Sequence, residues 1–408
     1  MSKKYNKEYE SGFTPTLLME EASRCLLCLD APCSKACPAG TDPAKFIRSV
    51  RFRNLKGAAE TVRINNILGA ICARVCPTER YCQNGCSRSG IDKPIDIGRI
   101  QRYITDFEDS LGMDILEKKP ANGKKIAVIG SGPAGLSSAG YLALEGCDVT
   151  VYEKEDKLGG YLRYGIPEYR LPNSIVDKEI VRIEKLGVKF VNNTRVGEQV
   201  KLEDLKKEYD AVVLSIGASE GKIIDLFKGN KHVVTAVNFL KEVKENKGKV
   251  KLPNNVLVIG GGDVAMDTCT TLKLLGVKNV TDVVYEEFDE FRASKKELLG
   301  AQENNVSIID GYVPVMVSND VVQFKHRFID AHLQVKADLI ILAVGQVVDA
   351  KGIDVEFVNG EVNCTGLKIK NSNVFVAGDI AHGEKTVVYA VKSGKEVCSA
   401  VIEYLGGK

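Results

Sequence analysis

The sequence predicts an α/β protein: a helical N-terminal double-cluster domain followed by two nested Rossmann-like dinucleotide-binding domains. Two glycine-rich strand–turn–helix fingerprints carry the α/β part of this expectation, and eight cysteines crowded before residue 87 carry the helical part. With 408 residues there is room for two to four domains, and 44% apolar residues suffice for a core in each. Lys and Arg together number 56 and Asp and Glu 54, so the net charge of +2 lacks the basic excess of a dedicated nucleic-acid binder. No apolar run reaches the ~18 residues of a membrane-spanning helix. The polar start MSKKYNKEYE is not a secretory leader, so a cytoplasmic location is expected.

The first element is the cysteine cluster. Even spacing of the 12 cysteines would place about two or three before residue 87, not eight. One run is Cys25-x2-Cys28-x4-Cys33-x3-Cys37-Pro38, and the other is Cys72-x3-Cys76-Pro77-x4-Cys82-x3-Cys86. A reducing compartment disfavours disulfides, and thiolates at such spacing hold metal. Zinc ribbons favour two CxxC pairs across a longer loop. Four cysteines crowded together and closed by Cys-Pro follow the bacterial ferredoxin pattern of interleaved [4Fe–4S] ligands. Two [4Fe–4S] clusters are expected, with zinc or unligated thiols as alternatives. Apolar residues at steps of three and four over 42–54 and 95–107 predict helices around the clusters. Cys147, Cys269, Cys364 and Cys398 are scattered and read as small core residues.

A polar stretch around 116–124 marks a domain boundary. The first fingerprint follows. Strand Ile126–Ile129 runs into Gly130-Ser131-Gly132-Pro133-Ala134-Gly135, then a helix, then strand Val149–Tyr152 ending at Glu153. The glycines permit a tight turn, close approach to a pyrophosphate and close helix packing, and the acid suits a ribose hydroxyl. The second fingerprint runs from strand Asn255–Ile259 through Gly260-Gly261-Gly262-Asp263-Val264-Ala265 to a strand ending in Tyr285-Glu286-Glu287. A 2′-phosphate needs a nearby base, and none follows until Arg292, so NAD(H) is expected over NADP(H). Two dinucleotide sites imply FAD plus a nicotinamide. An apolar strand ending in Gly378-Asp379, with a helix starting after Lys385, suits the flavin end. Apolar runs 212–218 and 339–345, each ending in or near glycine, read as crossings between nested domains. The expected boundaries are 1–120 (iron–sulfur), 121–230 and 346–408 (FAD), and 231–345 (NAD). No cysteine pair stands after Glu153 to act as a flavin-linked dithiol, and the four histidines are isolated. The flavin is therefore expected to serve the iron–sulfur domain, with no side chain acting as acid or base.

The strings EASRCLLCLDAPCSKACPAGTDPAKFIRSVRFRNLKGAAET, ICARVCPTERYCQNGC, PIDIGRIQRY, IGGGDVAMD and GEKTVVYAVKSGKE carry a resemblance. The chain resembles the flavin and iron–sulfur small subunits of the glutamate synthase family and the matching half of dihydropyrimidine dehydrogenase, most specifically the NAD-dependent bacterial small subunits. The resemblance implies one cluster on Cys25, Cys28, Cys33 and Cys86, and another on Cys37, Cys76, Cys82 and Gln101. Spacing alone would choose Cys72 in place of Gln101. It implies FAD contacts at Gly130, Ser131, Gly132, Pro133, Ala134, Glu153, Gly160, Arg170 and Asp379 through Thr386 and Val387. It implies NAD contacts at Gly260, Gly262, Asp263, Val264, Glu286, Glu287 and Gly345. It also implies an NADH-oxidising electron-input subunit of a heterotetramer. Its partner, bearing FMN and iron–sulfur clusters, would reduce uracil or thymine. No membrane or nucleic-acid partner is implied. The same machinery serving glutamate synthase or a bifurcating transhydrogenase is the rival, and the acidic strand end argues against its NADP(H). A zinc-bearing flavin scaffold without catalysis is the rival of a different class.

Overall fold

The structure is a computed structural model that describes residues 5–406. It divides into two compact units. One holds residues 10–162, 173–218 and 348–408; the other holds residues up to 9, 163–172 and 219–347.

The first unit begins with helices that include α1 (Pro15–Ser23), α2 (Pro43–Arg51), α3 (Leu55–Asn65), α4 (Gly69–Val75) and α5 (Ile97–Ser110). Most starts are set locally. Thr14, Asp42, Asn54 and Asp96 each accept a backbone N–H of the first turn of α1, α2, α3 and α5, a cap worth about 1 kcal/mol. Phe46, Ile47, Val50, Val62, Ile97, Ile100 and Ile104 form their shared core, and Cys25, Cys33 and Cys86 sit at its edge.

The chain then enters β1 (Lys125–Ile129), α6 (Pro133–Leu144), β2 (Asp148–Tyr152), α7 (Asn173–Lys185), β3 (Lys189–Val191) and β4 (Ala211–Leu214). The apolar runs of β1 and β4 are buried on both faces, as inner parallel strands require. Arg63 of α3 ties the helical part to this layer. It is fully buried and reaches Glu108 of α5 at 2.7 Å and Glu179 of α7 at 2.8 Å. Burial alone would lower its affinity for the proton, but Glu179 and Glu108 outweigh that and hold the guanidinium charged.

The second unit contains β5 (Val233–Thr235), α8 (Ala236–Glu245), β6 (Asn255–Ile259), α9 (Asp263–Leu274), β7 (Asn279–Val283), α10 (Lys295–Glu303), β8 (Ser307–Ile309), β9 (Tyr312–Ser318), β10 (Val321–His326), β11 (His332–Lys336) and β12 (Leu339–Leu342). The parallel sheet has order β5-β12-β6-β7-β8, and β9-β10-β11 form an antiparallel meander. Alternation along β6 explains the three layers. Val256 and Val258 pack with Met266, Cys269 and Leu272 of α9, whereas Leu257 and Ile259 pack with Val322 and Phe324 of the meander. The meander went unread in the sequence. Asp282 of β7 is fully buried, and neither carboxylate oxygen has a hydrogen-bond partner.

The chain returns to the first unit with β13 (Val374–Val376) and α11 (Val387–Tyr404). β13 pairs in parallel with β4, Val374 opposite Val212, to complete the order β13-β4-β1-β2-β3. The runs 212–218 and 339–345 lead to the crossings between units at 218/219 and 347/348.

Candidate functional site: cysteine cavity, flavin loop and nicotinamide loop

All twelve cysteines are free thiols. Cys25, Cys28, Cys33 and Cys86 line one shared pocket, walled by Ala44, Ile47, Ile95 and Ile97. The loop that delivers the first two turns at Leu27, whose φ of 53° is unusual for a side chain of that size. Arg51 Nη1 donates to the Cys25 carbonyl at 3.0 Å and fixes the start of the loop. Burial pushes the Cys33 thiol up to about 11, with Cys86 and Cys25 adding to it. Burial, followed by Cys86 and Cys28, likewise raises Cys25. Thiolates gathered in so dry a place need a cationic core to stay ionised. Among the described residues, no three His, Cys, Asp or Glu side chains close on a single metal ion. Four thiols around one shared cavity fit a cluster.

The second group lies deeper: Cys72 and Cys82 are buried, whereas Cys25, Cys28, Cys33 and Cys86 are half-buried. Burial raises Cys76 well above its usual range, with Cys72, Cys82, Cys37 and Glu79 nearby adding to it. Burial also raises Cys82, with Cys37 and Cys33 adding. Cys37, Cys76 and Cys82 thus lie near one another, with Cys72 among them. Both candidates for the eighth ligand are buried. Cys72, on α4, has its thiol pushed up to about 12 by burial and is met by a hydrogen bond from the Asn66 side chain. Gln101, on α5, donates from Nε2 to the Gly69 carbonyl at 2.7 Å. That bond anchors the amide nitrogen and leaves the amide oxygen as the available donor atom.

The flavin fingerprint forms the turn between β1 and α6. Gly130 has φ +98°, and a Cβ there would meet the Ser215 carbonyl at 2.7 Å, so only glycine serves. Pro133 opens α6 with Gly132 as its cap, so free N–H groups face the end of the turn. Glu153 at the end of β2 bonds this loop, accepting from Ser131 N at 2.8 Å and Ser131 Oγ at 2.5 Å. Gly160 lies against Gly132; a Cβ on Gly160 would come within 2.9 Å of Gly132 Cα. The Gly378–Ile380 turn after β13 joins the same place, since a Cβ on Gly378 would stand 2.7 Å from the Ala134 Cβ. Burial raises the Asp379 carboxyl, and Lys385 opposes that. Thr386 caps α11 by accepting from Tyr389 N at 3.4 Å. Gly130 to Ala134, Glu153, Gly160 and Asp379 thus converge at the carboxyl ends of parallel strands, where dinucleotides bind. Ser131 and Glu153 are joined by bonds that the motif alone does not reveal. Arg170, expected from the resemblance among the FAD contacts, belongs to the second unit. There it pairs with Asp267 at 2.6 Å and Glu297 at 2.9 Å.

One helix joins flavin loop and cysteines. α11 starts at Thr386, packs on α6 through Ser137 Oγ, which donates to the Val391 carbonyl at 3.1 Å, and carries Lys395. Lys395 Nζ donates to the carbonyls of Ala39, in the Cys37-Pro38 loop, at 2.8 Å and of Asn65 at 3.0 Å. Tyr81, next to Cys82, donates its hydroxyl to Glu384 at 2.5 Å.

In the second unit, Gly260 takes φ +154°, with a would-be Cβ 2.4 Å from the Ala343 carbonyl. Gly262 caps α9, and nothing lies within 4 Å of its Cβ position. Asp263 Oδ1 accepts from Ser294 N at 2.6 Å, so it faces the 292–294 segment. The Glu286 carboxylate reaches back over the loop, 3.0 Å from a Cβ built on Gly261, and Arg292 Nε approaches it at 3.4 Å. Glu287 caps the next short turn. Gly345 closes β12 at φ +110°, its carbonyl taking Lys222 N at 3.0 Å. The sequence reading found no base before Arg292. Folding brings Arg327 from the meander onto Tyr285, 4.1 Å from the ring centroid. No local spacing encodes that contact.

Two known families match the chain. Residues 2–113 match the family described as dihydropyrimidine dehydrogenase domain II, 4Fe-4S cluster, and residues 124–394 match the pyridine nucleotide-disulphide oxidoreductases. The chain is 52% identical over 404 residues to the NAD-dependent dihydropyrimidine dehydrogenase subunit PreT of Escherichia coli (strain K12), covering 99% of this chain and 98% of that one. It is 29% identical over 447 residues to the glutamate synthase [NADPH] small chain of Halomonas elongata, covering 99% and 94%. Mycobacterium tuberculosis FprA in complex with NADPH shares the fold with a TM-score of 0.60 at 18% identity, covering 70% of this chain and 85% of that one.

Proposed function

Because the chain belongs to the family of NAD-dependent dihydropyrimidine dehydrogenase PreT-type subunits, we propose that it is the NADH-oxidising, electron-input subunit of such an enzyme. The observation that carries the reading is α11, a single helix that begins at the flavin loop and ends its reach at the Cys37 loop through Lys395. When bound, FAD turns the two-electron hydride of NADH into single electrons, which two [4Fe–4S] clusters relay to a partner subunit.

The chain's own residues bind, orient and insulate. Free N–H groups at the start of α6 meet the flavin diphosphate, and the dipole of that helix favours its charge. Glu153, already held by Ser131, presents a carboxylate to the adenosine ribose of FAD. Asp379 and the start of α11 bracket the flavin end. Cys25, Cys28, Cys33 and Cys86 hold one cluster. Cys37, Cys76 and Cys82 hold the other, with the Gln101 amide oxygen as eighth ligand; the free oxygen of a buried, anchored amide supports that choice over Cys72. The start of α9 meets the NADH diphosphate, and Glu286 accepts from its ribose hydroxyls. That carboxylate repels a 2′-phosphate, which favours NADH over the NADPH of glutamate-synthase-type relatives.

The proposed partner carries FMN and iron–sulfur clusters and reduces uracil or thymine, the two chains forming a heterotetramer. No helix among the described residues is long and apolar enough to cross a membrane, and twelve free thiols suit the reducing cytoplasm proposed as its location. Anaerobic mixing of the purified, cofactor-loaded chain with NADH and with NADPH tests the reading. Bleaching of flavin and cluster absorbance by NADH at a rate well above that with NADPH is expected; preference for NADPH would favour the glutamate-synthase-type reading.

A further inference from the structure

Arg327 follows β10, far along the chain from the second fingerprint, yet it is sewn to the end of that motif. Its backbone N–H donates to the Gly311 carbonyl at 2.9 Å, and Gly311 N donates to the Glu286 carbonyl at 3.1 Å. Its Nη1 donates to the Tyr285 carbonyl at 3.1 Å. Its Cζ lies over the Tyr285 ring, 4.1 Å from the centroid, and 4.6 Å from the centroid of Phe328. Glu290 approaches Nη1 at 3.7 Å.

The aromatic residues here are oddly wet. Tyr285, Phe288 and Phe328 expose 53%, 51% and 63% of their surface at the mouth of a nucleotide loop. The Arg327 side chain keeps 21% of its surface exposed beside these rings, so the mouth presents a cationic group among half-exposed aromatic surfaces, which suits a purine. The adenine of NADH stands one glycosidic bond from the ribose that Glu286 meets, so its ring must fall on the neighbours of Glu286. A 2′-phosphate is a poorer occupant, because Glu290 and the Tyr285 carbonyl already engage Nη1, and Glu286 adds a second negative charge.

The geometry points to Arg327, stacked on Tyr285, as the platform for the adenine ring of NADH, a specificity-determining residue of this site. The inference rests on reading the second fingerprint as the NADH site and deepens it.

The test uses the full-length, cofactor-loaded chain, with ferricyanide as electron acceptor. Its probes are AMP, titrated calorimetrically and as a competitor, and reduced nicotinamide mononucleotide, which lacks adenine. In Arg327→Ala, KM for NADH and the AMP dissociation constant each rise about tenfold, kcat stays unchanged, and kcat/KM for the mononucleotide stays unchanged. Arg327→Lys, which keeps the charge but loses the plane, behaves like the alanine variant. Tyr285→Phe retains binding and Tyr285→Leu loses it, with the same readouts should Arg327→Ala fold poorly. Unchanged AMP binding in Arg327→Ala, an equal loss with the mononucleotide, or a loss confined to NADPH overturns the platform. Failure of AMP to compete with NADH on the unmodified protein overturns instead the reading of this unit as the NADH site.

Discussion

Replacing Arg63 by Met removes the cation from a site with no access to water. Glu108 would lose bonds of 2.9 and 2.7 Å to Nε, and Glu179 a bond of 2.8 Å to Nη1. Both carboxylates stay buried, since they expose 1% and 0% of their side chains. Breaking a buried pair in this way costs about 3–5 kcal/mol. Arg182 remains within 3.4 Å of Glu108 and 3.1 Å of Glu179, so the cost belongs at the lower end, about 3 kcal/mol. At roughly 2–4 °C per kcal/mol for a domain of this size, the melting temperature falls by about 6–12 °C. Scanning calorimetry measures it, with far-ultraviolet dichroism following the helices. The deficit should shrink as pH falls. Burial already raises the Glu108 carboxyl, so it protonates early, and a neutral acid no longer needs the missing cation. A melting temperature within about 1 °C of the unmodified chain at neutral pH would refute the argument.

Other expectations follow from the sites. Cys25→Ala and Cys82→Ala each lose one cluster's signal in iron analysis and electron paramagnetic resonance, whereas Cys72→Ala keeps both and Gln101→Ala alters one. Retention of the full signal in Cys82→Ala would sink the ligand set. Glu286→Gln removes the charge opposing a 2′-phosphate and loosens Arg292, so the NADPH-to-NADH ratio of kcat/KM rises about tenfold or more; an unchanged ratio would clear Glu286 of the role. Burial pushes the Asp282 carboxyl well above its usual range. The folded chain therefore keeps a proton that the unfolded chain sheds above about pH 4, and stability drains as pH rises from there. Asp282→Val removes that slope and raises stability by about 1–3 kcal/mol, read by urea unfolding at several pH values.

Both fingerprints were legible because they are backbone requirements. Gly130 and Gly260 hold dihedrals and close approaches that forbid a side chain, and the strands before them are short apolar runs with one reading. Strand ends were less legible: β1 begins at Lys125 and β2 at Asp148, each one residue earlier than expected, since fraying depends on neighbours. The Cys25 cavity could be read from spacing plus resemblance. The link between Lys395 and Ala39 could not, because it spans 356 positions. The meander β9–β11 was legible in principle, as His332–Lys336 alternates between exposed and half-buried. The burial of Arg63 has no local signal, because its partners Glu108 and Glu179 lie 45 and 116 positions away. The charge argument at Tyr285–Glu287 weighed local residues alone and so missed Arg327, which the meander supplies.

The nesting of one unit inside the other also sets an order of assembly. β4 ends at Leu214, but its neighbour β13 begins at Val374, after the whole of 219–347 has been made. At about 5–20 residues per second of synthesis, the nicotinamide unit leaves the ribosome while the flavin sheet still lacks an edge strand. The cysteine helices are made first of all, yet the ammonium that ties Ala39 and Asn65 together arrives only with residue 395. The helix that links the cysteine loop to the flavin loop is thus the last element made, and a chain halted before α11 would present its thiols without it.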